Sequence, residues 1–170
     1  MEAKKSDIFV VPAIGIIVAG IENTAQMMPG APELLPEAAE GLRTIRAAQR
    51  KVIPEMRKRG IRVLPGGDYG FAWTPHGTYA KDLEYFVDLL GFTPMEVLVA
   101  ATKLGGEIMG QPGELGQVKE GYLADLILVD GDPLSNIKIL QDKKRILSVM
   151  KDGEFFRAPE GNRQSLRVAV

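Results

Sequence analysis

The feature that most constrains this chain is a short apolar run that ends at a Pro-Gly-Gly turn and is followed by an acid. Residues 61–64 are apolar at three of four positions, which predicts a buried strand. The Pro-Gly-Gly of residues 65–67 stops it, and Asp68 is the first acidic residue beyond. In barrels of alternating strands and helices, catalytic groups lie at this end of the strands. Asp68 is therefore a candidate catalytic carboxylate.

Two interpretations of Asp68 stay open at this point. A carboxylate at the mouth of a strand can bind a divalent cation and accept a proton from water. Aspartate is also common in glycine-rich turns, where it only caps the backbone. The residues around Asp68 do not by themselves decide between a chemical role and a turn role.

Helices and strands alternate along the rest of the chain. Residues 37–59 predict a long helix whose packing face carries Leu42, Ile45, Val52 and Met56. Residues 79–90 predict a second helix, and Thr93 begins a third with a capping box. Further predicted strands lie at residues 8–11, 125–129 (buried), 145–151 and 154–157, the last two joined by an Asp-Gly hairpin turn.

The apolar run from Ile8 to Ile21 has two other possible meanings, a membrane span and an export signal. It is shorter than the roughly 20 residues a span needs, and Pro12 and two glycines interrupt it. It also lacks a persuasive cleavage site, although Lys4 and Lys5 precede it. We therefore interpret it as a buried strand and the start of a long loop that reaches Pro36.

Composition excludes some classes of function. Hydrophobic residues make up 45% of the chain, charged residues 25%, and the formal net charge is -1. This balance, without a basic cluster, argues against a nucleic-acid partner. The chain has no cysteine, which fits a reducing compartment, and we expect a cytoplasmic protein without a membrane partner.

Five segments that follow one another in the chain resemble the metal-dependent amidohydrolases, particularly their imidazolonepropionase-like and prolidase-like branch. They are GGDYG (66–70), TPHG (74–77), GFTPMEVLVAAT (91–102), LGQVKEGYLADLILVDGDPL (115–134) and VMKDG (149–153). The order and approximate spacing are those of the C-terminal part of the family. The resemblance covers more than half of the chain and fades before Ile61.

The resemblance implies an α/β fold that is the C-terminal part of a TIM-type (β/α)8 barrel plus a small β-sandwich. Residues 1–112 would form the partial barrel, with the last two strands and the helices after them. Residues 113–170 would form part of the sandwich, with an unpaired sheet edge. A complete barrel takes about 250 residues, so we expect a fragment or one subunit of a split enzyme.

The resemblance also implies a site. Asp68 matches the family's last aspartate, a ligand of a divalent metal, often zinc, and the group that moves protons. Tyr69, Trp73 and His76 would lie near the pocket and bind substrate, although the aromatic rings could equally bury the loop and His76 could be structural. The chain has one histidine and no cysteine. Since zinc sites take three or four protein ligands, we expect this chain alone not to retain the metal.

The implied activity is hydrolysis of a carbon–nitrogen bond of amide type in a small molecule, non-peptide or dipeptide-like. The partner would be the missing barrel portion or a companion chain, and an oligomer is expected. The alternative is a non-catalytic partner subunit or a truncated product with no activity of its own.

Overall fold

A computed structural model gives the fold of residues 8–22 and 36–159. Two helices lie between a parallel pair of strands in the first part, and short antiparallel strands form the last part, so the chain has the α/β class that was predicted. In chain order the elements are β1 (Phe9–Val10), α1 (Ile14–Glu22), α2 (Pro36–Lys58), β2 (Arg62–Val63), α3 (Lys81–Leu90), α4 (Pro94–Ala101), α5 (Lys103–Ile108), β3 (Leu126–Val129), a 3-10 helix (Ile137–Gln141), β4 (Ile146–Lys151) and β5 (Glu154–Arg157).

The strands β1 and β2 pair in parallel, with Phe9 opposite Arg62 and Val10 opposite Val63. One further hydrogen bond, from the Leu64 amide to the Val10 carbonyl at 3.1 Å, extends the pair towards its carboxyl end. The predicted strands at both places are confirmed, although each is shorter than expected. Within residues 8–22 and 36–159 this is the one parallel pair, and the strands there do not close into a barrel.

The prediction of a strand and loop over the first apolar run is wrong beyond Val11, because Ile14 to Glu22 form helix α1. This helix is apolar nearly all round, as expected of a helix enclosed by its neighbours, and Ile14 and Val18 are buried. A segment without a polar face has no helical period to detect. The central part of the predicted loop, residues 23–35, lies outside the described residues.

Helix α2 confirms the long helix predicted over residues 37–59, and it continues through Pro54. Its predicted packing face is partly wrong, since Ile45 and Val52 are each 46% exposed. The buried positions are Ala39 and Ile53, which lie where α2 packs on α1 and α3. The spacing of the apolar residues predicted one face of α2 to be buried, but α1 and α3 cover a different face.

The starts and ends of α3 and α4 agree with the sequence. Helix α3 begins at Lys81, two residues later than predicted, and ends at Gly91 with a φ of 72°. In α4 the Glu96 amide donates to the Thr93 hydroxyl at 3.2 Å, and the Thr93 amide donates to the Glu96 carboxylate at 2.8 Å. The predicted capping box is therefore confirmed. Around these helices lies the main core of Ile14, Val18, Ile53, Val63, Leu64, Phe86, Leu90, Phe92, Val97, Ala100 and Ile137.

The last part of the described chain is a three-stranded antiparallel sheet in the order β3-β4-β5. The hairpin between β4 and β5, turning at Asp152 and Gly153, is confirmed. The expectation that residues 125–129 are buried is wrong, because Ile127 is 55% and Leu128 52% exposed. Their surface stays open because no second sheet packs on this one among residues 8–22 and 36–159.

None of the helices in residues 8–22 and 36–159 is long and apolar enough to span a membrane.

Candidate functional site

Asp68 lies just beyond the carboxyl end of β2, at the place that the sequence predicted. Its side chain is exposed, and its backbone has a φ of 52°. Aspartate tolerates this left-handed conformation better than most residues do. The Thr74 hydroxyl donates to the Asp68 carbonyl at 3.2 Å, and the Gly70 amide donates to the Thr74 carbonyl at 2.9 Å. These bonds close residues 68–74 into a compact loop that carries the carboxylate.

The structure brings Tyr69, Trp73 and His76 together in the lining of one cavity of about 430 Å³. Polar groups from Lys81 and Lys143 also line it. Asp68 is not among the lining residues of this cavity. The loop therefore gathers the three predicted substrate-binding side chains at one place, with the Asp68 carboxylate on the solvent side of the same loop.

The aromatic side chains of the loop are held by specific contacts. Tyr69 packs edge-on against Tyr79 with ring centroids 4.7 Å apart, and its hydroxyl donates to the Tyr79 carbonyl at 3.4 Å. His76 Nδ1 lies 2.9 Å from the Tyr79 hydroxyl. Trp73 stacks on Phe71 with centroids 5.3 Å apart. The rings consequently form an ordered wall on one side of the cavity.

Behind this loop lies a buried acid, Asp82, that sequence reasoning missed. It stands in the first turn of α3 and is 1% exposed. Burial raises the pKa of its carboxyl to about 6, against the lowering effect of the Tyr69 hydroxyl and the amides of Gly66 and Gly15. Those groups face the carboxylate, yet neither oxygen has a completed hydrogen bond among the described residues.

The contact between Asp82 and Tyr69 also affects the tyrosine. Burial, and then the charge of Asp82, raise the pKa of the Tyr69 hydroxyl far above its ordinary value. Both side chains line a second, more apolar cavity of about 430 Å³ beside the end of β2. In the sequence Asp82 looks like an ordinary acid at a helix start, so nothing there singles it out.

Lys81 and Gln141, which line the first cavity, belong to a polar cluster around Glu84. The Glu84 carboxylate accepts from Lys81 Nζ and Gln141 Nε2, each at 2.7 Å, and forms an ion pair with Lys138 at 3.2 Å. Burial on its own would raise the pKa of Glu84, but the hydrogen bonds from these three residues lower it to about 2. The cluster ties α3 to the 3-10 helix.

A metal site needs several ligand side chains close together. Within the described ranges there is no set of three or more His, Cys, Asp or Glu side chains placed to hold one ion. Asp68 is an exposed single carboxylate, and His76 is occupied at Nδ1 by Tyr79. The residues present therefore do not fit a complete metal site.

Two curated proteins show what the sequence is similar to. The ochratoxinase of Aspergillus niger is 32% identical over 127 residues, which is 74% of this chain and 26% of that protein. An imidazolonepropionase of Syntrophobacter fumaroxidans is 28% identical over 132 residues, 75% of this chain and 29% of that protein. The chain thus spans about a quarter of the length of these relatives.

Solved structures of related proteins are also similar to this chain. The crystal structure of A. niger ochratoxinase matches 90% of this chain and 33% of its own, with a TM-score of 0.75 and 28% identity. A prolidase complexed with N-methylphosphonate-L-proline matches 89% and 35%, with a TM-score of 0.74 and 26% identity. The sequence pattern of the amidohydrolase family matches residues 18–156, most of the chain. This chain belongs to the amidohydrolase family.

Proposed function

We propose that this chain is the C-terminal part of a metal-dependent hydrolase that cleaves a carbon–nitrogen bond of amide type, non-peptide or dipeptide-like. The observation that carries the proposal is the position of Asp68, beyond the carboxyl end of a parallel strand in a member of the amidohydrolase family. In this proposal residues 1–112 belong to a barrel and residues 113–170 to a β-sandwich. The lack of cysteine supports a cytoplasmic location.

Asp68 is the proposed proton carrier. Its carboxylate is exposed on a loop closed by the Thr74 hydroxyl, so it can reach a water molecule and a substrate. It accepts a proton from the attacking water as the new carbon–oxygen bond forms. It then gives that proton to the leaving nitrogen as the carbon–nitrogen bond breaks.

The divalent metal, zinc in our proposal, requires ligands beyond this chain. Asp68 would supply one oxygen, and the remaining ligands would come from the missing barrel portion or from a companion chain, within an oligomer. A bound metal would polarise the substrate carbonyl. The described residues do not group into a site that could hold the metal by themselves.

The cavity beside the loop is the proposed place for one end of the substrate; since Asp68 does not line it, the bond to be cleaved would lie outside the cavity, on the side of Asp68. Tyr69 and Trp73 give it an aromatic wall, and His76 lies at the same lining. Its volume of about 430 Å³ suits a small molecule. Since the relatives include a prolidase and an imidazolonepropionase, the substrate class we propose is a small amide.

The test is hydrolysis of a panel of Xaa-Pro dipeptides, N-acyl amino acids and cyclic amides by the protein and its Asp68→Asn variant, each assayed with zinc, alone and together with a companion chain that carries the other ligands. Asp152→Asn is a matched control, because Asp152 has the same φ of 52° and lies in the hairpin turn instead. Loss of a general acid–base group lowers kcat about a hundred-fold to ten-thousand-fold. Unchanged activity in Asp68→Asn would remove Asp68 from the mechanism.

The alternative is a non-catalytic partner subunit or a truncated product. One observation favours it, the lack of three grouped metal ligands in the described ranges. Zinc content of the purified chain separates the two proposals. Zinc in a one-to-one ratio with active chain defeats the alternative, and activity that arises only with a companion chain carrying the other histidines favours a split enzyme. The DNA just upstream of the coding sequence is the place to look for that companion.

A further inference from the structure

Asp82 is the buried charged group that the proposed reaction does not use. It is 1% exposed, and its two oxygens lack completed hydrogen bonds within the described parts of the chain. An unsatisfied carboxylate in a protein interior is unfavourable. A side chain of such cost at the edge of a candidate site suggests a role connected with that site.

The two Asp82 oxygens are directed at two different parts of the fold. A Cβ atom built on Gly67, in the turn after β2, would lie 2.7 Å from Oδ2. A Cβ atom built on Gly15, at the start of α1, would collide with Oδ1. The carboxylate is thus wedged between the first turn of α1 and the turn before Asp68, and it fits because both neighbours are glycines.

The Asp82 carboxylate contacts both residues that adjoin Asp68 in the chain. Gly67 precedes Asp68 and lies against Oδ2, while Tyr69 follows it and turns its hydroxyl towards Asp82. The Asp68 side chain is on the exposed side. One buried carboxylate therefore contacts the backbone before the exposed carboxylate and the side chain after it.

We infer that Asp82 is a positioning residue that fixes the 66–69 turn against α1 and thereby sets the orientation of Asp68. The backbone amides of Gly15 and Gly66 face it, and the Tyr69 hydroxyl, which donates to the Tyr79 carbonyl, lies beside it. A negative charge strengthens such contacts relative to a neutral acceptor. The catalytic meaning of this inference rests on the proposed function of Asp68, but the positioning itself does not.

Two groups of the loop allow its order to be measured, the Trp73 side chain and the Gly70 amide. Trp73 is the single tryptophan of the chain, and it adjoins Thr74, whose hydroxyl holds the Asp68 carbonyl. The Gly70 amide is bonded to the Thr74 carbonyl at 2.9 Å. Acrylamide quenching of Trp73 and hydrogen exchange at Gly70 therefore measure the order of this loop directly.

The experiment compares Asp82→Ala and Asp82→Asn with the wild-type chain. Asp88→Ala is the control, since Asp88 is an exposed acid on the same helix. In Asp82→Ala we expect retained helix content by circular dichroism, Trp73 quenching raised about two-fold, and Gly70 exchange about ten-fold faster. Asp82→Asn should change both in the same direction by less, because a neutral amide is the weaker acceptor. Asp88→Ala should change neither.

Unchanged quenching and exchange in Asp82→Ala would overturn the inference, and Asp82→Asn decides in the same way if the alanine variant does not fold. In the hydrolysis assay, the positioning role predicts a kcat lowered about ten-fold or more with KM nearly constant. A higher KM at constant kcat would contradict it. If the wild-type chain hydrolyses nothing in the panel even together with zinc and a companion chain that carries the other ligands, the proposed function fails, and the loop measurements still decide the role of Asp82.

Discussion

The Asp82 carboxylate occupies the space that a side chain on Gly15 would need. Helix α3 contributes the acid and helix α1 the glycine, so the contact joins two elements that are far apart in the chain. The contact gives Gly15 a steric role in a helix, where glycine is otherwise unfavourable.

The first prediction is a reversal of sign for Gly15→Ala. In the wild-type background the new methyl group collides with Asp82, and we expect a loss of about 1–3 kcal/mol in the free energy of unfolding. In an Asp82→Ala background its nearest remaining neighbour is the Tyr69 hydroxyl at 3.6 Å. There the substitution should stabilise the chain by about 0.5–1 kcal/mol. Urea denaturation of the wild-type chain, the two single variants and the double variant measures both values.

The control for that cycle is Gly41→Ala. Gly41 lies within α2, and no other atom lies within 4 Å of a Cβ built there. It should stabilise the chain by a similar amount in both backgrounds. A Gly15→Ala effect that is equal in the two backgrounds would refute the steric contact.

The second prediction concerns pH. The pKa of Asp82 is raised to about 6 from an ordinary 3.8, so the folded chain binds this proton more tightly than the unfolded chain. The free energy of unfolding should therefore fall as pH rises from about 4 to about 6, by about 3 kcal/mol in total. Tyr69, with its raised pKa, stays protonated throughout this range.

The Asp82→Asn variant should lack this fall. Denaturant titrations between pH 4 and 7 measure the difference between the two proteins, in which the contributions of other groups cancel. Parallel curves for wild type and Asp82→Asn would show that the carboxyl titrates normally.

The third prediction concerns Glu84, whose pKa is lowered to about 2 by Lys81, Gln141 and Lys138 despite burial. A lowered pKa means that its stabilising effect is complete above the ordinary value of 4.5 and is lost as pH falls towards 2. At neutral pH, Glu84→Gln should cost about 1.5–3 kcal/mol, the range of a charge-assisted hydrogen bond. Thermal or urea unfolding checks it.

A matched control for Glu84 is Glu55→Gln. Glu55 also accepts from a lysine three residues away, Lys58 at 2.7 Å, but this pair is exposed. Exposed pairs contribute little, so we expect no measurable change in the free energy of unfolding. Equal losses of stability in the two variants would mean that partial burial does not strengthen the interactions of Glu84.

The fourth prediction concerns the exposed apolar surface of the β3-β4-β5 sheet. Ile127 is 55% and Phe156 84% exposed, and apolar patches of this kind promote association. The double variant Ile127→Thr/Phe156→Ser should reduce concentration-dependent association, measured by light scattering, with stability changed by about 0.5 kcal/mol or less. Val118→Ser is the control, because Val118 is 87% exposed but outside the sheet. An equal reduction of association in Val118→Ser would show that the effect is not specific to the surface of the sheet.

Local signals predicted the elements that depend on neighbouring residues. The capping box of Thr93 and Glu96, the Asp-Gly hairpin turn and the strand ahead of Asp68 all involve residues a few positions apart. Such features follow from backbone geometry and side-chain chemistry within one turn. The placement of Asp68 at a strand end belongs to this group.

Features that depend on distant contacts were not predicted. Helix α1 has no polar face, so its apolar run resembled a strand. The burial of Asp82 depends on Gly15 and Gly67 meeting at one place, which spacing along the chain does not reveal. The exposure of Ile127 depends on what packs against the sheet, again a property of the assembled fold.

The parallel pair of β1 and β2 has a consequence for the order of folding. Phe9 can meet Arg62 only after the whole intervening segment, α2 included, has been brought back on itself. Closing such a long loop costs entropy before any contact rewards it. The pairing that leads into the turn of Asp68 should therefore form late, after α2 has formed.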